Sequence, residues 1–172
     1  MPNRESITGK LEAERKALLD RDRSFKADEL DCACTESEDP GGDPWRPKDH
    51  LAHLAMIERA FQGMIRRTVA GEKNPVGFTG TTRDAVLAGV HRNNQENVDA
   101  HRGDDLDALV ADLDAARTET LELLDSLSDA QLSTPVPGAP WADGTIGGVL
   151  MTNAYHERQH LEWVEDGLAR HA

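Results

Sequence analysis

The chain has 172 residues, of which 38% are hydrophobic and 30% charged, as expected for an ordinary globular protein. This length predicts one domain over residues 1–172, with enough chain for a sizeable core. The formal net charge of −13 argues against nucleic acid and anionic membrane surfaces as partners, because an acidic surface repels phosphate groups. The sequence has no apolar run of the roughly 18 residues that a spanning helix needs, and its start lacks a signal-peptide core. We therefore expect a cytoplasmic protein.

The first half of the chain predicts two helices separated by an acidic connection. Helical periodicity begins near Ile7 and ends near Phe25, with Ser6 or Thr8 as the N-terminal cap. The stretch 31–44 is rich in acids, Gly and Pro and is predicted to be a loop. The second helix is predicted over 47–71, since proline suits the first turn of a helix.

The second half of the chain continues the helical pattern. A weaker helix is expected from a cap at Thr81 or Thr82 to about His101. The next helix extends to about Leu127, and the last runs over approximately 145–169. Because no segment shows sustained strand alternation, the four long helices and their Gly- and Pro-rich connections predict an all-α four-helix bundle.

The two cysteines, Cys32 and Cys34, lie in the acidic stretch. A pair this close in sequence cannot form an ordinary disulfide bond without strain, and no further soft metal ligand is nearby. We interpret both residues as reduced thiols.

The histidines of the last helix are the strongest sign of a metal site. His156 and His160 are four residues apart, and positions with this spacing lie on one face of a helix. Apolar neighbours such as Val149 and Val164 place this face inward. Two inward imidazoles at this spacing can bind one ion, although such a pair alone is also compatible with ordinary surface histidines.

A third ligand can come from His50 or His53 at the start of the second helix. Wheel position places His50 nearer the centre of the apolar stripe and His53 toward its edge. Periodicity therefore slightly favours His50, but the first turn of a helix often projects beyond the core. The pattern alone leaves both candidates open.

Three segments together resemble the DinB-like metalloprotein superfamily. The run from Trp45 to Ala55, followed by Glu58 and Arg59, resembles the signature of its second helix. The run from His156 to Leu161 resembles its last-helix motif, and 143–145 fits the connection before that helix. Their order and spacing cover nearly the whole chain.

The resemblance implies an up-down-down-up bundle with a long crossover between the second and third long helices. It also implies a divalent metal bound by three histidines, and the family pattern selects His53 over His50, together with His156 and His160. Arg46 replaces a small hydroxyl residue that is common in the family. The acidic, cysteine-bearing stretch 31–44 before Trp45, here called the insert, is not a feature we associate with the family.

Three imidazoles leave a divalent ion with open positions, as in catalytic zinc sites, and both zinc and nickel suit imidazole. The superfamily includes transferases and isomerases that use a low-molecular-weight thiol such as mycothiol or bacillithiol, and a hydrolase that acts on a reactive cyclopropane. The first hypothesis is therefore a metal-dependent S-transferase or hydrolase that acts on a small electrophilic substrate, with a low-molecular-weight thiol as the co-substrate of the transferase. The alternative is a metal- or ligand-binding stress-response protein without turnover. The family also suggests a homodimer.

Other side chains are weaker candidates. Asn97, His101 and Trp163 are predicted to line the cavity over the metal, although core or surface packing would also explain them. Glu58 or Glu157 could orient a ligand histidine, but exposed helix charge is the expected role of both.

Overall fold

A computed structural model describes residues 3–77, 82–139 and 143–171. Within these ranges the ordered elements are helices, together with two isolated antiparallel bridges, Thr35–Trp45 and Pro135–Thr145. The helices are α1 (Arg4–Asp22), α2 (Ala27–Leu30), α3 (Pro47–Val69), α4 (Arg83–His101), α5 (Leu106–Ser126), α6 (Asp129–Leu132) and α7 (Ile146–His171). The all-α prediction is confirmed. Among the described helices, none has both the length and the hydropathy of a membrane span.

Four long helices, α1, α3, α5 and α7, form the bundle, whereas α4 packs on α3 within the long connection to α5. Side-chain contacts show that α1 runs parallel to α7, that α3 runs parallel to α5, and that α3 and α7 are antiparallel. The contacting pairs are Arg15–Glu157 and Arg21–Glu165, then Arg59–Asp112 and Gln62–Ala116, and then His50–His160 and His53–His156. These contacts give the up-down-down-up order that the family resemblance implies.

The helix ends follow the sequence signals at most positions. Asn3 caps α1 by accepting a hydrogen bond from the Ser6 amide, so the prediction of Ser6 or Thr8 as the cap was wrong. The helix starts one turn earlier because the Asn3 side chain satisfies an amide that the first turn leaves free. Thr82 caps α4 through the Ala85 amide, and Thr81 lies outside the described residues.

The interior consists of two apolar clusters with a polar layer between them. One cluster contains the N-terminal halves of α1 and α7 with the C-terminal halves of α3 and α5. The other contains the opposite halves of α1, α3 and α5. Four buried charged residues lie between these clusters along the helices: Arg15, Glu58, Arg117 and Glu157. The histidines are on α3 and α7, on the side of this layer nearer the start of α3.

Candidate metal centre

Three histidines from two antiparallel helices converge beside the polar layer. One ring nitrogen from each of His53, His156 and His160 lies within 4.8 Å of the other two. The ring centroid of His53 is 5.3 Å from that of His156 and 4.8 Å from that of His160. The structure therefore brings together the three residues that the family pattern selects.

Burial keeps these imidazoles uncharged. His53 and His160 are each 2% exposed, and burial, together with the neighbouring histidines, holds the pKa of both well below the ordinary value. Burial also lowers the pKa of His156 to about 4. At neutral pH all three rings therefore offer nitrogen lone pairs, and the neutral imidazole is the form that binds a divalent ion.

The donor atoms fit a divalent ion. Nε2 of His156 and Nε2 of His160 face each other at 2.9 Å, and Nδ1 of both His53 and His156 is buried without a hydrogen-bond partner among the described residues. A tetrahedral zinc ion with Zn–N bonds near 2.0–2.1 Å separates its ligand nitrogens by about 3.4 Å, which small side-chain rotations can reach here. The histidine cluster could therefore bind a metal ion.

His50, the open alternative from the sequence, also lies at this centre. It is 3% exposed, and its Nδ1 is 2.7 Å from Nδ1 of His160. Its Nε2 is 2.8 Å from the Thr35 hydroxyl oxygen. Both ring nitrogens of His50 thus have protein partners, and the contact to His160 is on the ring edge that faces away from His156. The wheel position correctly indicated an inward side chain, but nothing in the sequence pattern pointed to Thr35.

Two tryptophans and two cavities surround the histidines. The rings of Trp45 and Trp163 lie 6.5 Å and 4.8 Å from that of His160. One cavity of about 410 Å³ is bounded by both tryptophans, by His50 and by acidic residues of the insert. A second, more open cavity of about 360 Å³ is lined by His156 and by polar residues of α7: Thr152, Tyr155, Arg158, Gln159 and Glu162. The candidate site therefore reaches solvent at His156.

Asn97 and His101 occupy other positions. Asn97 donates a hydrogen bond to the Ala52 carbonyl oxygen, 3.1 Å away, and so joins α4 to α3. Nδ1 of His101 lies 2.8 Å from the Asp104 carboxylate at the end of α4. Neither side chain lines the two cavities beside the histidines, whereas Trp163 lines one of them.

The expectation that Glu58 and Glu157 are exposed helix charges was wrong. Each is 1% exposed and forms ion pairs with the buried guanidinium groups of Arg15 and Arg117. Burial raises the pKa of Glu157. Its Oε2 has no hydrogen-bond partner among the described residues.

The sequence contained a signal for this layer. Arg15 lies four residues after Leu11 and three before Leu18, on the inward face of α1. Arg117 lies at the equivalent position after Leu113 on α5. Charged residues at core positions indicate buried partners, because an unpaired buried charge is too costly.

The two cysteines are free thiols, as predicted. Cys34 is buried, and burial raises the pKa of its thiol to about 11. Because the thiolate is the reactive form, Cys34 is an unreactive thiol at neutral pH.

The segment that carries the cysteines is fixed to the bundle. Thr35 and Trp45 pair as an antiparallel bridge, and the Cys34 backbone packs directly against Gly167 of α7. Arg46, the departure from the family pattern, forms two hydrogen bonds from its guanidinium group to the Asp49 carboxylate in the first turn of α3. The Asp49 carboxylate also accepts a hydrogen bond from the Arg46 backbone amide, so it anchors the start of α3 although the Arg46 side chain offers the helix amides no acceptor.

Comparison with known proteins agrees with the geometry. No curated protein and no solved structure matches the chain. The family model of the DinB superfamily matches residues 10–164, which include α3 and α5 in full, most of α1 and α7, and all three converging histidines. The chain belongs to the DinB superfamily.

Proposed function

We propose that this protein binds a divalent metal ion, zinc or nickel, through His53, His156 and His160 and uses it to activate a thiol or water against a small electrophile. The observation that carries the proposal is the convergence of three uncharged imidazoles from α3 and α7, of which His53 and His160 are buried and His156 is half-buried. A set of three protein ligands is typical of catalytic rather than structural zinc sites.

The chain's own residues would position the reactants. A bound divalent ion would supply Lewis-acid chemistry that makes a water or a low-molecular-weight thiol nucleophilic near neutral pH. The cavity at His156 would admit the small-molecule substrate from solvent, and the polar side chains that line it, including Tyr155 and Arg158, would orient it. The indoles of Trp45 and Trp163 pack against the His160 ring and would help to hold it in place.

Metal analysis tests the first part of the proposal. Protein purified without a histidine tag should contain about one equivalent of zinc or nickel, and His53→Ala, His156→Ala and His160→Ala should each lose it. His101→Ala is the matched control, because His101 pairs with Asp104 away from the cluster and should leave the metal content unchanged. Full metal content in all three cluster variants would overturn the ligand assignment.

Turnover tests the second part. Metal-loaded protein, incubated with a thiol and a panel of small electrophiles, should form product faster than chelator-treated protein does. The outcome that would contradict the proposal is a well-occupied metal site with no metal-dependent product formation.

A second candidate function, metal binding without turnover, is favoured by one observation. The buried carboxylates on either side of His53 along α3 are both held in ion pairs, Asp49 with Arg46 and Glu58 with Arg15 and Arg117, and are therefore not free to act as a general base. In that case the protein would retain the metal, and the activity panel would show no product.

We further propose that the protein acts in the cytoplasm as a homodimer. Analytical ultracentrifugation would test the oligomeric state.

A further inference from the structure

His50 is buried beside the three converging histidines but is not one of them, and each of its ring nitrogens contacts a polar group. One ring nitrogen of His50 contacts Nδ1 of His160, and the other contacts the Thr35 hydroxyl group. The Thr35 oxygen is also 3.3 Å from the backbone carbonyl oxygen of Trp45. These groups form a continuous hydrogen-bonded chain from the insert to a candidate ligand.

The direction of each hydrogen bond in this chain follows from its chemistry. A carbonyl oxygen can only accept, so the Thr35 hydroxyl donates to Trp45 and accepts from Nε2–H of His50. A neutral His50 with its proton on Nε2 has a lone pair on Nδ1, which accepts from Nδ1–H of His160. The lone pair of His160 is then on Nε2, the nitrogen that faces His156.

The opposite order of protons would block the metal site. If Thr35 donated to His50, the proton of His50 would be on Nδ1, and His160 would have to accept it there. The proton of His160 would then occupy Nε2, which faces His156. Only the arrangement with the proton of His50 on Nε2 and that of His160 on Nδ1 leaves Nε2 of His160 free to bind a metal ion.

The acidic insert holds the beginning of this chain in place. The amides of Cys34 and Thr35 donate to the Trp45 carbonyl oxygen at 3.0 and 3.2 Å, and the Trp45 indole donates to buried Gln95 at 2.9 Å. A Cβ on Gly167 would lie 2.4 Å from the Cys34 carbonyl oxygen, so the insert approaches α7 as closely as a glycine permits. The Thr35 hydroxyl group is therefore fixed relative to α7, which carries His160.

We infer that His50 and Thr35 are positioning residues that fix the tautomer and ring orientation of His160, so that its Nε2 is presented to a divalent metal ion. This inference rests on the proposed metal site and adds a role for the insert. Hydrogen-bond partners of metal-ligating histidines typically contribute about 10- to 100-fold to metal affinity.

Zinc titration of variants tests the role of the chain. His50→Leu removes the acceptor and should weaken zinc binding by about 10- to 100-fold, whereas His50→Asn offers an amide oxygen to Nδ1–H of His160 and should lose less than about tenfold. Thr35→Val should weaken binding and Thr35→Ser should restore it, because serine keeps the hydroxyl group. Equal affinity losses in His50→Asn and His50→Leu would mean that His50 acts only through packing and would overturn the inference.

Nitrogen NMR of the wild-type protein gives a readout that does not depend on any variant. In metal-free protein, the ¹⁵N shifts of His160 should show the proton on Nδ1 and those of His50 should show it on Nε2; the reverse assignment would overturn the inference. If the wild type binds no zinc while these tautomers are observed, the proposed function fails and the tautomer assignment stands. If it binds zinc but all four variants keep full affinity, the inference alone fails.

Discussion

Replacing Glu58 by glutamine removes one of the four charges in the layer between the apolar clusters. Its carboxylate accepts hydrogen bonds of 2.7 Å from both Arg15 and Arg117, and its side chain is 0% exposed. The two arginines and the two glutamates sum to zero charge. The substitution therefore leaves one uncompensated positive charge in the interior.

The expected loss of stability is large. Removal of one partner from a buried ion pair costs about 3–5 kcal/mol, because the remaining charge stays buried without compensation. Whole domains are stable by only about 5–15 kcal/mol, so Glu58→Gln should lower the midpoint of urea unfolding substantially. The double variant Glu58→Gln/Arg117→Met restores neutrality, since Arg15 and Glu157 keep their pair. It should recover stability, with a coupling of about 2–3 kcal/mol.

A neighbouring ion pair supplies the control. Arg59 and Asp112 also join α3 to α5, but their side chains are 37% and 43% exposed. Asp112→Asn should therefore cost only about 0–1 kcal/mol. Urea unfolding followed by circular dichroism measures all of these variants. If Glu58→Gln and Asp112→Asn cost the same, the layer is not desolvated as the structure indicates, and the reasoning fails.

Three further predictions concern residues that tertiary packing has buried: Asp22, Gly167 and His50. Burial raises the pKa of Asp22 from 3.8 to about 7, so the folded state binds this proton more tightly and stability falls as pH rises between these values. Urea titrations should show Asp22→Asn close to wild type at pH 4 and more stable by about 2–4 kcal/mol at pH 8; equal effects at both pH values would contradict this. Gly167→Ala directs a Cβ at the Cys34 carbonyl oxygen and should lower the free energy of unfolding by about 1–3 kcal/mol. The control, Gly9→Ala, places its Cβ in open space and should be neutral or stabilising. Equal melting temperatures of the two variants would refute the close contact. Burial lowers the pKa of His50 to about 4, so the folded state binds this proton less tightly than the unfolded state does. As pH falls from about 6.5 to 4, the free energy of unfolding of metal-free protein should therefore fall by up to about 1.4 kcal/mol per pH unit for each such histidine. The Asp22→Asn background removes the opposing contribution of Asp22 from this measurement. A flat profile in chelator over this range would show that the histidines are not buried as neutral rings.

The positions of the helices follow from local rules that the sequence expresses directly. Periodicity and prolines placed the start of α3 at Pro47, and the capping preference of aspartate left the start of α5 open between Asp104 and Asp105, of which Asp105 is the cap. The spacing of His156 and His160 likewise needs only the geometry of one helix. The N-terminal cap of α1 was misplaced because Ser6, Thr8 and Asn3 are all good capping residues, and local preference does not choose among them.

The roles of the buried polar side chains depend on residues distant in sequence. Glu58 and Glu157 were expected to be exposed, since a single helix does not reveal which groups face it from its neighbours. Arg15 and Arg117 reach them only because α1 and α5 pack across from α3 and α7. The sequence shows a charge at an inward position, but the partner that makes its burial tolerable comes from tertiary packing.

The choice between His50 and His53 shows the same division. By itself the sequence pattern determined an all-α chain, an inward histidine pair on the last helix and two candidates on the second long helix, between which only the family resemblance selected His53. Tertiary structure decided that His53 faces the pair while His50 contacts the far edge of His160 and the Thr35 hydroxyl group. The physical reason is that helical periodicity fixes the direction of a side chain about its own axis, whereas its hydrogen-bond partners depend on the position and direction of the neighbouring helix and of the insert.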